Sequence, residues 1–127
     1  MMVHTGRVPI QEGFRDQRLS VVPRRTVVEA LARPVTRRLV VTDSGHYPHA
    51  VDHLMQRPTG IDETIVIVCV NGTGWANIAG TQHRIGSNTA LVIPAGTPHA
   101  YGSSDGPPWT IWWCQLRGSD LPELVVA

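Results

Sequence analysis

The 127-residue chain contains no lysine, a single phenylalanine and only two cysteines, and its formal net charge is +1. A charge so near zero excludes the broad basic footprint by which a domain grips nucleic acid. Long hydrophobic runs are also missing. The longest, Ile65 to Val70, falls far short of the roughly 20 apolar residues that span a bilayer. The segment MMVHTGRVPIQEGF lacks the apolar stretch of a secretory signal. Cys69 and Cys114 both sit inside apolar, strand-like runs, so they read as buried thiols in a reducing cytoplasm. Catalytic groupings are equally scarce. Ser103 and Ser104 occupy a turn without a nucleophile elbow, the thiols have no adjacent base, and the carboxylates are scattered. With no activated nucleophile and no paired acids, the sequence reads as a binding protein rather than an enzyme, and it calls for no cofactor.

A chain of this length is one domain. All of its basic residues are arginines apart from the histidines, and eight of the eleven fall between Arg7 and Arg38. There they mix with turn residues, so residues 1–36 read as an N-terminal arm with one short helix, Thr26 to Arg33, ended by Pro34. Phe14, Leu19, Val21 and Val22 give this arm enough apolar surface to cover the mouth of a barrel.

From Arg37 onward the pattern changes to short β-type runs. RLVVT, AVDHLMQ, TIVIVCV, WANIA, TQHRI, TALVI, HAYG and WTIWWCQL are separated by SGHYP, RPTG, NGTG, AG, GSN, PAGTP and SSDGPP. Strands at intervals of about 8 to 12 residues, with no helical period between them, predict an all-β sandwich or closed barrel over residues 37–118. Asn71-Gly72 reads as a tight hairpin. In PAGTPHAY, Pro94 and Pro98 remove two backbone donors while Gly96 permits a positive φ, which makes a rigid corner where a strand returns carrying His99 and Tyr101. After Gly118, the spacing of Asp120 and Glu123 is that of a capping box, so residues 119–127 read as the start of a helix that runs on beyond this sequence.

RPTG at Arg57 to Gly60, IVIVCVNGTGW, PAGTPHAY and PWTIWWCQLRG, in this order and spacing, resemble the N-terminal sensor domain of AraC-type bacterial transcription regulators. The likeness covers roughly residues 37 to 118. It implies a cupin-like double-stranded β-helix, or jelly-roll barrel, that binds a small effector such as a sugar, and a homodimer formed through helices after the barrel. It further implies that DNA is bound only by a separate C-terminal helix-turn-helix domain. Carried over position by position, Arg57 stands where the arabinose-responsive relative has its sugar-contacting arginine, Tyr101 matches a tyrosine, and Trp113 matches the tryptophan on which the sugar packs. Ile111 replaces a ligand-contacting histidine, and Asp43 falls near a threonine, so the expected effector is not arabinose.

The residue chemistry points to the same trio. A sugar-like molecule offers an apolar C–H face and a rim of hydroxyls, for which Trp113 and Tyr101 supply aromatic plates and Arg57 a fixed donor. Period-2 alternation puts Trp109, Ile111 and Trp113 on one face of the last strand and Thr110, Trp112 and Cys114 on the other. A guanidinium inside a barrel needs either a ligand or a carboxylate, with Asp43 and Asp52 as internal candidates. Among the histidines, His99 fills the place of a cupin metal ligand, but the preceding motif supplies Arg57, Pro58, Thr59 and Gly60 instead of the other ligands. His99 and His83 are therefore expected to hydrogen-bond or pack. The alternatives are a metal-dependent cupin isomerase or oxygenase using His49, His53 and His99, and a cupin kept only for dimerisation, whose barrel would be filled.

Overall fold

The computed structural model describes residues 8–126, so the first seven residues of the expected arm and Ala127 lie outside it. In chain order the elements are β1 (Arg18–Val21), α1 (Arg24–Leu31), β2 (Val40–Tyr47), β3 (Leu54–Arg57), β4 (Thr64–Asn71), β5 (Gly74–Ile78), β6 (Thr81–Ile85), β7 (Thr89–Ile93), β8 (His99–Ser103), β9 (Thr110–Arg117) and α2 (Leu121–Val126). They form two antiparallel sheets, ordered β1-β2-β9-β4-β7 and β3-β8-β5-β6, packed face to face. Every expected β run contains a strand, although Ala50 to His53 belong to a turn, and β1 adds one from within the arm.

The core follows from the pleat. Ile65, Ile67 and Cys69 of β4, Ile93 of β7 and Ile111 of β9 point inward and are almost completely buried, with Trp109 closing the layer just before β9. Ala76, Ile85 and Tyr101 meet them from the opposite sheet. Trp112 points outward and stacks on His46, ring centroids 4.0 Å apart. Cys114 is half-buried on that outer side of the sheet, unlike the fully enclosed Cys69, and both thiols are free.

Three local readings are corrected. Ser44 to Pro48 is not a turn: β2 runs through Gly45 to Tyr47. Gly45 is there because the Trp113 indole lies on it, and a Cβ would sit 2.6 Å from the indole carbon Cε2. The turn comes later. His49 and Asp52 take φ of 44° and 61°, which delays β3 to Leu54. Asn71-Gly72 is not a hairpin, since β4 and β5 belong to different sheets. Only Gly72 is left-handed there, and its N–H is held by Asn71 Oδ1 at 2.8 Å as the chain crosses between sheets. The tight hairpin is Ala79-Gly80 between β5 and β6, with φ of 49° and 85° at its two central residues.

At the ends, α1 begins and finishes two residues earlier than expected and buries only Val27. The chain does turn helical at Leu121, but the Asp120 carboxylate is engaged by Arg38, Nε to Oδ2 at 2.9 Å. The Ser119 and Asp120 amides donate to the Arg37 and Arg38 carbonyls at 3.0 Å, which pins the start of α2 to the lead-in of β2.

The arm crosses from one sheet to the other. Ile10 exchanges backbone hydrogen bonds with Asp52 and Leu54 at the start of β3, at 2.8 and 2.9 Å. Gln17 Oε1 then accepts from the Gly13 and Phe14 amides, closing a turn, and β1 pairs with β2. Phe14, at that turn, drops into the core against Tyr47 and His53, with centroids 5.0 and 5.1 Å away.

Gly102, on β8, faces the His53 carbonyl oxygen so closely that a Cβ would collide with backbone. Gly102→Ala should destabilise the domain by about 3 kcal/mol, a fall of about 10 °C in Tm. Thermal unfolding followed by circular dichroism tests this, and a loss under 2 °C would refute the packing.

Candidate functional site

Antiparallel pairing places the candidate residues in rows. On β9 and β2 the inward pairs are Ile111 with Tyr47, Trp113 with Gly45, and Gln115 with Asp43. On β3 and β8 they are Met55 with Tyr101 and Arg57 with His99. Because the pairs are antiparallel, Arg57 lies directly across from His99 and diagonally from Tyr101, within reach of a long side chain.

Between these rows and the arm is a cavity of about 160 Å³. The barrel contributes Asp43, Tyr47, His53, Met55, Arg57, Tyr101, Trp113 and Gln115, and the arm contributes Gln11, Glu12, Leu19 and Val21. Arg57, Tyr101, Trp113 and Asp43 thus line one cavity. His99 stands behind Arg57 and reaches the cavity through it. Ile111 does not line the cavity; it is wholly buried in the core one row deeper. A separate groove of about 750 Å³ lies beside α2, but none of the anticipated site residues borders it.

The Arg57 guanidinium is held by two neighbours. NH1 donates to the Tyr101 hydroxyl at 3.0 Å and lies 3.0 Å from His99 Nε2. An arginine can only donate, so His99 Nε2 accepts, and its Nδ1–H donates to the Thr97 carbonyl at 2.8 Å. That sets the neutral tautomer. Burial lowers the His99 pKa, opposed by the Thr97 bond and assisted by the nearby Arg57 charge. Tyr101 keeps its proton, burial raising its pKa more than Arg57 lowers it. Among the described residues no carboxylate forms an ion pair with Arg57.

His53, named in the sequence only as a ligand of the alternative metal reading, lines the cavity wall. It is buried in a nest of Phe14, Tyr47, Tyr101 and Trp109 rings. The Trp109 indole N–H donates to its Nδ1 at 3.0 Å, so in the neutral ring the proton sits on Nε2, which is buried with no partner. Burial, with a smaller push from Arg57, drops its pKa to about 4. Tyr47, which was not anticipated, is pushed up to about 12 by burial and then by Glu12. The Trp113 Nε1–H approaches the Tyr47 hydroxyl without closing a hydrogen bond, and it too is buried and unpartnered. The available signal was Gly45: once it is placed inside a strand, period 2 carries Tyr47 inward, and the turn that follows delivers His53.

A metal reading finds no support in the geometry. His49 is exposed in the turn, the ring nitrogens of His99 are both committed, and His53 Nδ1 is taken by Trp109. Among the described residues no three His, Cys, Asp or Glu side chains converge as a metal would need. No helix among them is long and apolar enough to cross a membrane.

Comparison with known proteins places this geometry. The family described as the AraC-like ligand binding domain matches residues 43–126. The MmsAB operon regulatory protein of Pseudomonas aeruginosa is 35% identical over 121 residues, which cover 92% of this chain and 38% of that protein. The chain therefore spans little more than a third of the relative's length. Among solved structures, the cupin domain of Schizosaccharomyces pombe Cnp3 superposes with a TM-score of 0.51 at 8% identity, covering 87% of this chain and 71% of that one. The plu4264 protein of Photorhabdus luminescens gives 0.52 at 9% identity, covering 98% and 94%. These two share the fold alone, the cupin jelly roll.

The buried neutral His53 makes stability depend on pH. Between pH 6.5 and about 4 the unfolded chain binds a proton at this position and the folded one does not. Folding stability is therefore full above pH 6.5 and is lost on acidification through that window, by up to about 3 kcal/mol from His53, with His99 acting in the same direction. His53→Asn keeps an acceptor for Trp109 and removes the titration. Urea unfolding at pH 7.5 and pH 5 should show a smaller pH-dependent loss in the variant than in the parent; equal losses would exclude His53 as the source.

Proposed function

The chain belongs to the AraC-like ligand binding domain family, and from that premise we propose that it is the effector-sensing domain of a transcription regulator, non-catalytic, holding a small polar metabolite in the cavity under the arm. The observation that carries this reading is the convergence of Arg57, Tyr101, Trp113 and Asp43 on one cavity, one wall of which is the arm. A barrel kept only for dimerisation would have no reason to retain that opening or its polar lining.

Sensing requires the effector to favour one arrangement of the chain over another, since equal affinity for both shifts nothing. The arm supplies the movable part. It is fixed by the Ile10 bonds, the β1 pairing and Phe14, while Leu19, Val21, Gln11 and Glu12 touch the space the effector would fill. A volume of about 160 Å³ is small for a ligand site. A sugar-like effector would press against the arm, and a smaller one would bind beneath it. The wider role, dimerisation and DNA binding through a helix-turn-helix domain, is assigned to parts of a longer regulator like the Pseudomonas relative.

Removing residues 1–20 should weaken effector binding at least about tenfold, and Arg57→Ala should do so comparably, because a charged hydrogen-bonding group is lost from a buried wall. Isothermal titration calorimetry with the effector found by thermal-shift screening reads both. Unchanged affinity after removal of the arm would end the arm-wall reading.

A further inference from the structure

The inner end of the cavity is rich in donors and poor in acceptors. His53 Nε2–H is buried and without a partner; its other nitrogen is held by Trp109, and the ring is one of the cavity's walls. Trp113 Nε1–H is likewise buried, beside the Tyr47 hydroxyl, without a closed hydrogen bond. The Tyr101 hydroxyl accepts from Arg57 and still has its own proton to give. Arg57 itself commits only NH1, so the remaining N–H groups of its guanidinium are unassigned. Three neutral donor side chains and one cation thus line a cavity of about 160 Å³.

We infer that the effector is a short-chain carboxylate of three or four carbons, whose two oxygens accept from Arg57, Tyr101, His53 and Trp113. This rests on the effector-pocket reading above and deepens it. A sugar hydroxyl donates as readily as it accepts, whereas an ionised carboxylate only accepts and offers about four lone-pair sites. Four donor groups match that capacity. Trp113 and Met55 leave apolar surface for the short carbon chain, and the volume excludes a long one. The acidic residues fix the orientation. Asp43 lies one inward row beyond Trp113, about 7 Å along the strand, so the ligand's charge belongs at the Arg57 end. Glu12, on the arm and close enough to Tyr47 to influence its ionisation, opposes a second anion in the cavity.

Calorimetry on the whole chain with propionate, lactate and butyrate, against propionamide, lactamide, propane-1,2-diol and arabinose, tests the inference. At least one of the acids should bind, with its amide at least tenfold weaker. His53→Asn, which keeps the Trp109 acceptor but deletes the Nε2 donor, should weaken the acid about tenfold, and Arg57→Gln more. Should His53→Asn fail to fold, Glu12→Gln serves instead: it removes only a negative charge from the cavity wall and should tighten binding of the acid more than that of its amide. If arabinose or the diol binds and the acids do not, or if acid binding ignores Arg57→Gln and Glu12→Gln, the carboxylate inference falls and the effector-pocket reading survives. If no compound binds here and a broad metabolite screen also yields no ligand, both fall.

Discussion

The hydrogen bond from the Trp109 indole to His53 Nδ1 is the contact on which the site depends. It joins the start of β9 to the turn before β3 in the centre of the barrel, where neither ring meets water. A buried donor and a buried acceptor satisfy each other there, which avoids the penalty either would incur alone. The bond also fixes a chemical state. By occupying Nδ1 it forces the single proton of a neutral imidazole onto Nε2, and burial keeps the ring neutral. A core contact thereby decides what the cavity wall presents to a ligand.

A second set of bonds does the same for Arg57. Its guanidinium has no carboxylate partner among the described residues, yet it is not left alone: it leans on the Tyr101 hydroxyl and on a neutral His99. These partners fix its position without cancelling its charge. An ion pair with Asp43 or Asp52 would have neutralised the cavity and left little to attract an anion or a polar molecule. His99, in the place where a metal-binding cupin would carry a ligand, here positions a cation.

Most of the architecture was legible in the sequence because apolar alternation and turn residues are local signals. The β runs from Arg38 to Leu116, the corner at Pro94 to Pro98 and the placing of Trp112 and Trp113 on opposite faces all follow from period 2 and proline chemistry. What failed was the meaning of individual glycines and of Asn-Gly. Gly45 looked like a turn residue, but its small size serves an indole 68 residues away in sequence, and no local pattern encodes that contact. Asn71-Gly72 carried the chemistry of a hairpin and was used to change sheets, because strand pairing is settled by long-range partners. Tyr47 was hidden by those errors, and His53 was singled out only as a metal ligand. Arg57, Tyr101 and Trp113 were found through family likeness and residue type together, while the apolar residues of the arm marked it as a cover without showing that Gln11 and Glu12 would share the wall.

The arm's share of the wall constrains how such a domain can signal. A ligand enclosed by a rigid barrel would alter little outside it, since a packed interior does not deform continuously. Here part of the enclosure is a segment held by a few backbone bonds at Ile10, a four-residue strand and one inserted ring, Phe14. Such a segment can exchange between arrangements for a modest free energy, and a buried ligand touching it changes that balance through contacts made in only one arrangement. Phe14 rests on Tyr47 and on His53, so the residue that anchors the arm and the residue that presents an unsatisfied donor are in direct contact. A molecule that takes the His53 proton as its hydrogen-bond partner must therefore act on the anchor, whether it draws the ring further under Phe14 or moves it aside.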